Sequence, residues 1–277
     1  MALTPLQQRI CRLLADQRKQ SGESYVAGGG ALNEHLGGTR KSRDVDLFHD
    51  TEAALVATWP KDRETLLAAG FTVETIREAP AFVEVHVRGA NETVLVQWAQ
   101  DSAYRFFPLV EHETLGLTLH PFDLATNKVL ALAGRREPRD WIDTVQCHEK
   151  LQPLGYLAWA AAGKDPGLGP LTIIEEAART RYTAIELKSL DFNGPPPDAA
   201  DLSVRWHQAV AEARKIIRML PAEHVGRCVL DNHGNLEKAS PESLASELKA
   251  DRVAFHEGRI RGAFPELRRE RGRGFER

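Results

Sequence analysis

The chain has 277 residues, of which 42% are hydrophobic, and its formal net charge is −3 at neutral pH. This length supplies one large hydrophobic core or two modest ones, so no disulfide framework is needed for stability. The cysteines are odd in number and far apart, which argues against structural disulfides and zinc-ligand spacing. No run of about 20 apolar residues and no signal region is present. We therefore expect a cytoplasmic protein without a membrane segment.

Charge is distributed unevenly along the chain. From Asp201 onward there are fifteen Lys or Arg and twelve Asp or Glu, which leaves the first 200 residues at −6. The densest basic stretch is the closing run between Arg268 and Arg277. A solvated tail is the simpler interpretation of this run, and an arm that contacts RNA is the alternative.

The first elements alternate between helix and strand. Thr4 followed by Pro5 is typical of a helix start, and apolar residues then recur at helical spacing. Tyr25 and Val26 predict a short strand that runs into three glycines, 28–30, and a second helix. The segment 44–48 predicts another strand, on which Asp44 and Asp46 project from one face.

A helix over 61–69 and further strands follow. The alternating runs 82–87 and 94–98, joined through a loop that begins at Gly89, predict a β-hairpin. From Asp123, which we expect to cap a helix, the pattern becomes helical. We therefore predict an α/β core, a small mixed sheet with helices packed on it, over residues 1–150. A mainly helical domain is predicted over 151–277.

The paired carboxylates carry the chemical hypothesis. Transfer of a phosphoryl or nucleotidyl group needs cations that neutralise the phosphates and activate a hydroxyl. Asp44 and Asp46 can together hold Mg²⁺, or Mn²⁺ in its place, although such pairs also occur on solvated strands. The glycine turn at Gly29 and Gly30 opens a helix, where bare amides favour an anion. Ser42 lies on the same strand face as the acids and can hold a phosphate oxygen.

This order of residues resembles the polymerase-β-like nucleotidyltransferase superfamily. There, a Gly-Gly or Gly-Ser turn precedes an Asp-x-Asp strand, as the glycines precede Arg40-x-Ser42-x-Asp44-x-Asp46 in this sequence. A second block, which runs from Asp123 through Lys128 to Arg139-Asp140 and Asp143, is similar to the Lys and Arg-Asp-x-x-Asp motif of AbiEii-type toxins. The related MenT toxins carry the same elements. The resemblance covers about residues 25 to 150.

The resemblance implies a role for each matching position. Asp44 and Asp46 would bind the metal, and Lys128 and Asp143 would complete the catalytic set. The residues expected to contact the nucleotide are Gly29, Gly30, Arg40, Ser42 and Lys128. Further candidates are Glu84, Arg139 and Asp140. Lys128 interrupts an apolar helix stripe, which is costly unless its ammonium reaches an anion, and the triphosphate would be that anion.

One position departs from the superfamily pattern. A third carboxylate usually stands on a strand beside the Asp-x-Asp pair, and this sequence offers Gln97 there. A neutral amide is a poorer magnesium ligand than a carboxylate. Glu84 is one candidate substitute, because the predicted hairpin places it opposite Gln97 on the same sheet face. Asp143 is the other.

The sequence and the resemblance together predict an enzyme that transfers NMP from an NTP to an acceptor hydroxyl and releases pyrophosphate. The resemblance implies the 3′ end of tRNA as acceptor, a toxin-antitoxin system as the setting, and an antitoxin partner encoded nearby. Three alternatives stay open. The acceptor could be a small molecule or a protein, the chain could be a degenerate nucleotide-binding regulator, or it could be an interaction protein whose acids are only solvated.

Overall fold

The computed structural model describes residues 2–89 and 91–266. The predicted RNA arm at Arg268–Arg277 lies outside this part of the chain. Within it, no helix is long and apolar enough to cross a membrane. The three cysteines are buried thiols rather than disulfides.

The helices of the structure are, in chain order, α1 (Pro5–Ser21), α2 (Gly28–Leu36), α3 (Glu52–Ala68), α4 (Pro121–Arg135), α5 (Pro138–Lys150), α6 (Leu154–Ala161), α7 (Pro170–Ala178), α8 (Ala184–Lys188), α9 (Ala199–Met219) and α10 (Pro241–Lys249). The strands are β1 (Ser24–Val26), β2 (Asp44–His49), β3 (Thr72–Ala79), β4 (Phe82–Arg88), β5 (Thr93–Gln100), β6 (Tyr104–Arg105), β7 (Val110–His112), β8 (Gly116–Thr118), β9 (Cys228–Asp231), β10 (Val253–His256) and β11 (Arg259–Ile260).

The first helix forms for the local reasons that the sequence shows. The Thr4 side chain accepts a hydrogen bond from the amide of Gln7, and the Gln7 side-chain oxygen accepts one from the amide of Thr4. This reciprocal capping satisfies two amides that a helix start leaves without partners. Pro5 occupies the first helical position, and Gly22 ends the helix with φ of 64°. A left-handed residue at this position is the usual glycine C-cap.

The core of the fold is a mixed seven-stranded sheet in the order β3-β4-β5-β2-β1-β8-β7. Strand β2 lies in the middle, parallel to β5 and antiparallel to β1. Val45 and Leu47 are buried on one face of β2, and Asp44 and Asp46 alternate with them on the other. The mixed sheet and its flanking helices confirm the predicted α/β class.

The β4–β5 hairpin confirms the predicted register. Val83, Val85 and the other inward residues of β4 are buried. On the opposite face, Glu84 pairs with Gln97 of β5. Because β5 also pairs with β2, Gln97 is in turn the partner of Asp46. Three polar residues from three adjacent strands therefore form one row across the sheet.

The later half of the chain is mainly helical, as expected, and it contacts the first half through helix packing and through strand pairing. Helix α6 is buried along its whole length and packs against α4, α7 and α9. Strand β11 pairs with β6, and an isolated bridge joins Arg40 to Phe192. A short sheet of β9 and β10 was not predicted from the sequence.

Two local predictions were wrong. His120, not Asp123, caps α4, because its ring accepts the amide hydrogen of Phe122. The carboxylate of Asp123 instead accepts the amides of Phe106 and Phe107. The helix predicted over 61–69 begins at Glu52 and contains Pro60. Proline removes a helix donor, which is why the sequence suggested a later start.

Candidate active site

The two acids of β2 face an open cleft. Asp44 and Asp46 are half-buried neighbours on one side of the strand, and both line a cavity of about 590 Å³. The start of α2, the Lys128 side of α4 and the start of α5 form the other walls. The strand period therefore delivers both carboxylates to the same space, as the sequence predicted.

The glycine turn permits a close approach of backbone to acid. Gly28 has φ of 70°, and a Cβ atom there would lie 1.9 Å from Oδ2 of Asp46. At Gly29 a Cβ would lie 2.3 Å from Nη2 of Arg40. No side chain caps the start of helix α2. Its first amides are therefore available to an anion. Gly28 thus belongs to the site, although the sequence had emphasised Gly29 and Gly30.

Electrostatics at the acid pair favour a cation. Burial, together with the neighbouring Asp44 carboxylate, raises the pKa of Asp46 to about 7, and Lys128 and Arg139 oppose this rise. Two carboxylates held side by side repel one another unless a positive charge lies between them. The Ser42 hydroxyl donates a hydrogen bond of 2.8 Å to Oδ1 of Asp44, so it orients this carboxylate.

The donor set fits Mg²⁺. This ion is commonly held by one or two protein carboxylates, with water and substrate phosphates completing the shell. No group of three or more potential metal-binding His, Cys, Asp or Glu residues occurs in 2–89 and 91–266. Asp44 and Asp46, two carboxylates on one face of β2 at the cleft, are the residues that would hold the ion, and a substrate would supply further oxygen ligands.

Gln97 occupies the expected place of a third carboxylate. Its side chain lines the cleft, and its Nε2 donates a hydrogen bond of 2.6 Å to Oε1 of Glu84. This bond turns the amide nitrogen toward Glu84. Glu84 stands one strand farther from Asp46 than Gln97 does. The structure therefore places a neutral amide, rather than Glu84, beside the acid pair.

Asp143 lies behind the cleft wall. It is fully buried, and its carboxylate accepts hydrogen bonds of 2.9 and 2.8 Å from Arg40 and one of 3.0 Å from Asn33. Burial by itself would raise the pKa of Asp143, but Lys128 and Arg40 outweigh it and the pKa is lowered. The structure does not place Asp143 with Asp44 and Asp46 as a third ligand. It positions Arg40 instead.

Lys128 has two protein carboxylates as partners. Its Nζ donates to Oδ1 of Asp140 at 2.9 Å and lies 3.4 Å from Oδ2 of Asp143. Arg135 also binds Asp140 through two hydrogen bonds, of 2.6 and 3.0 Å. The anion that the apolar setting of Lys128 required is thus provided by the protein. Lys128 still lines the cleft, as does Arg135, but each already has a buried carboxylate as a partner.

The sequence predicted only some of the other basic residues that line the cleft. Arg139, a further candidate from the sequence, lines the cleft from the first turn of α5. Arg43 also lines it and pairs with Asp191 at 2.9 Å. Lys41 lies between Arg40 and Ser42 and was not singled out by sequence reasoning. The sequence does contain an indication of this role, because Lys41 and Arg43 flank Ser42 directly before the strand that carries the two acids.

A segment from the later half closes one side of the cleft. Ser189, Leu190 and Asp191 follow α8 and line the cavity. The amide of Lys41 donates to the carbonyl of Asp191 at 2.8 Å, so the segment is tied to the loop before β2. Nothing in the local sequence around 189–191 indicated this role.

Comparison with solved structures identifies the fold. The JHP933 protein of Helicobacter pylori matches with a TM-score of 0.54 and 13% identity, over 78% of this chain and 95% of that one. MenT4, a nucleotidyltransferase toxin of Mycobacterium tuberculosis, matches with a TM-score of 0.52 and 14% identity, over 79% of this chain and 85% of that one. No protein-family model and no curated protein sequence matches the chain. The chain therefore has a nucleotidyltransferase-like fold.

Proposed function

We propose that this protein is a magnesium-dependent nucleotidyltransferase that moves NMP from an NTP to an acceptor hydroxyl. One observation carries the proposal. Asp44 and Asp46 stand together at a cleft of about 590 Å³, against the uncapped start of α2. This combines a divalent-cation site with an anion site, which is the pairing that nucleotidyl transfer requires. The nucleotidyltransferase-like fold supports the same conclusion.

In the proposed reaction the acceptor hydroxyl oxygen forms a bond to the α-phosphorus of the NTP. The bond between the α-phosphorus and the bridging oxygen breaks, pyrophosphate leaves with that electron pair, and the hydroxyl proton passes to solvent or to a carboxylate. Mg²⁺, or Mn²⁺ in its place, would polarise the phosphate oxygens and lower the pKa of the hydroxyl when bound. Asp44 and Asp46 would hold this ion, and Ser42 orients the Asp44 carboxylate.

The other residues act on the substrate or on each other. Gly28 and Gly29 allow the α2 amides to approach phosphate without side-chain obstruction. Arg40 and Lys128 form a positive floor whose position is set by Asp140 and Asp143. Gln97 lines the same cleft beside Asp46, and its amide nitrogen is held by Glu84.

The proposed acceptor is the 3′ end of RNA, with tRNA as the leading candidate. The support is the resemblance to AbiEii-type and MenT toxins and the basic excess after Asp201, which can contact phosphates. On the same basis we propose that the protein is the toxin of a toxin-antitoxin system, acts in the cytoplasm and has an antitoxin partner encoded nearby.

The test is a labelling experiment. Purified protein is incubated with Mg²⁺, total cellular RNA and each of the four α-³²P-labelled NTPs in turn. We expect label to move to a discrete band of tRNA size for at least one NTP. Asp44→Asn and Asp46→Asn should abolish it, because each removes a metal-binding charge. Asp16→Asn, at an exposed position on α1, is the matched control and should retain it.

The other outcomes separate the alternatives. Label that appears only on protein or on a small hydroxylated compound would contradict the RNA acceptor and keep the metal site. Tight NTP binding without any labelled product would favour the degenerate regulator, for which Gln97 beside the acid pair is the structural argument. Labelling by both acid variants at the wild-type rate would contradict the proposed site.

A further inference from the structure

The charged residues of the cleft differ in whether they already have partners. Six Lys or Arg and four Asp or Glu side chains line it. Arg40 and Lys128 are bound by buried carboxylates behind the wall, as is Arg135. Arg43 is paired with Asp191 at the rim. A cation that already faces a carboxylate gains less from a second anion, because much of its charge is neutralised.

Lys41 is the first of the two cleft cations without such a partner. Its backbone is fixed on both sides, because its amide donates to Asp191 at 2.8 Å and its carbonyl accepts from Arg40 at 3.1 Å. Its side chain makes no ion pair or hydrogen bond with any residue in the described ranges. Lys41 therefore lines the cleft from a fixed backbone, and its ammonium has no partner among the described residues that would compete with a ligand.

Arg139 is the second such cation, and it stands on another wall of the cleft. It is the second residue of α5 and directly precedes Asp140, whose carboxylate is taken by Lys128 and Arg135. Its Nε is buried without a hydrogen-bond partner among the residues that the structure describes. The Arg139 guanidinium also forms no ion pair within the described residues, so its charge is left for an anion in the cleft.

We propose that Lys41 and Arg139 bind the triphosphate of the NTP from two sides of the cleft. This inference rests on the proposed function and assigns a role within it that the sequence motifs had given to Arg40 and Lys128. A polyphosphate offers terminal oxygens to a guanidinium in bidentate geometry and to an ammonium as a point charge. Asp44 and Asp46, the nearby acids, would be occupied by the metal, so these two cations are left for the phosphates. Arg40, Lys128 and Arg135 then shape the floor.

The test uses inorganic tripolyphosphate, which has the phosphate chain and no nucleoside. Wild-type protein, Lys41→Gln, Arg139→Gln and the double variant are titrated with it by calorimetry, with Mg²⁺ in excess. We expect each single substitution to weaken binding by about tenfold and the double substitution to weaken it further. Melting temperatures should stay close to wild type, because neither side chain forms an ion pair or a hydrogen bond within the described residues.

Arg43→Gln is the matched control. It also removes a cation from the cleft lining, but one whose charge Asp191 already balances. We expect its affinity for tripolyphosphate to fall by about threefold or less. An equal loss in Arg43→Gln and in the Lys41 and Arg139 variants would show a general charge effect and overturn the inference. Wild-type affinity for tripolyphosphate in both Lys41→Gln and Arg139→Gln would also overturn the inference, as would a wild-type protein that does not bind tripolyphosphate.

Failure of this inference can be distinguished from failure of the proposed function. If the wild-type protein binds tripolyphosphate through Lys41 and Arg139 but labels no acceptor, the phosphate site stands and the transfer reaction does not. If it labels an acceptor while Lys41→Gln and Arg139→Gln keep the wild-type KM for NTP, the reaction stands and the assignment of these two residues is wrong.

Discussion

Replacing Asp143 by Asn should destabilise the whole protein rather than only the reaction. The carboxylate of Asp143 is fully buried, accepts two hydrogen bonds from Arg40 and lies 3.4 Å from the ammonium of Lys128. Asn preserves the shape but removes the negative charge, so two cations are left with less compensation. Breaking a buried ion pair from one side costs about 3 to 5 kcal/mol. For a chain of this size that corresponds to a melting temperature lower by roughly 6 to 20 °C.

The effect of Asp143→Asn on stability should depend on pH. The pKa of Asp143 is lowered in the folded protein, because Lys128 and Arg40 outweigh the effect of burial. A carboxyl whose pKa is lower in the folded than in the unfolded state stabilises the fold at pH values above its unfolded pKa of about 4. This stability is lost as the pH falls through the pKa of the folded state. The difference between wild type and Asp143→Asn should therefore be largest near neutral pH and shrink in acid.

Calorimetric melts between pH 3 and pH 8 would measure the effect. Asp16→Asn, an exposed change of the same chemistry on α1, should stay within about 0.5 kcal/mol of wild type. If Asp143→Asn and Asp16→Asn have the same melting temperature at neutral pH, the proposed contribution of the buried charge network to stability is refuted. Unchanged stability together with lost transfer would return Asp143 to the catalytic role that the sequence resemblance implied.

Three further predictions concern the acid pair and its surroundings. Without metal at pH 8, Asp46→Asn should melt at a higher temperature than wild type, because a carboxyl whose pKa is raised to about 7 destabilises the fold when it is ionised. Melts in EDTA should show that this gain in melting temperature disappears as the pH is lowered toward 4. Gly28→Ala should abolish transfer, since its Cβ would meet Asp46 at 1.9 Å. Gly37→Ala, where φ is 59° and nothing lies within 4 Å, should cost only the backbone strain, with both read from activity and melting temperature. Gln97→Asp should strengthen Mg²⁺ binding and lower the metal-free melting temperature, because it adds a charge beside Asp46 and opposite Glu84; equal Mg²⁺ affinity would contradict this.

The strand that carries the acids could be predicted from the sequence because its causes are local. Side chains alternate along a strand, so Asp44 and Asp46 must share a face wherever that strand lies. The start of α1 was predictable for the same reason, since its capping residues Thr4 and Gln7 are three apart. The β4–β5 hairpin register followed from loop length and placed Glu84 opposite Gln97.

The charge partners could not be predicted in this way. Arg40 and Asp143 are 103 residues apart, and they meet only because α5 packs behind the loop that precedes β2. From the sequence, Lys128 was a cation that needed an anion, and both a triphosphate and a protein carboxylate meet that need. The packing of α4 on α5 decided in favour of Asp140.

The same limit explains why Lys41 was overlooked. Local periodicity shows which side chains share a face of one element, but it does not show which cation remains without a carboxylate once all elements are packed. That depends on the segment 189–191, which meets the loop before β2 from the distant helical half, and on α5. The sequence by itself determined the acid pair and the glycine turn, because strand and turn geometry act over a few residues. Only the tertiary structure decided which cations are neutralised and which face the cleft, because electrostatic pairing acts through space between elements far apart in the chain.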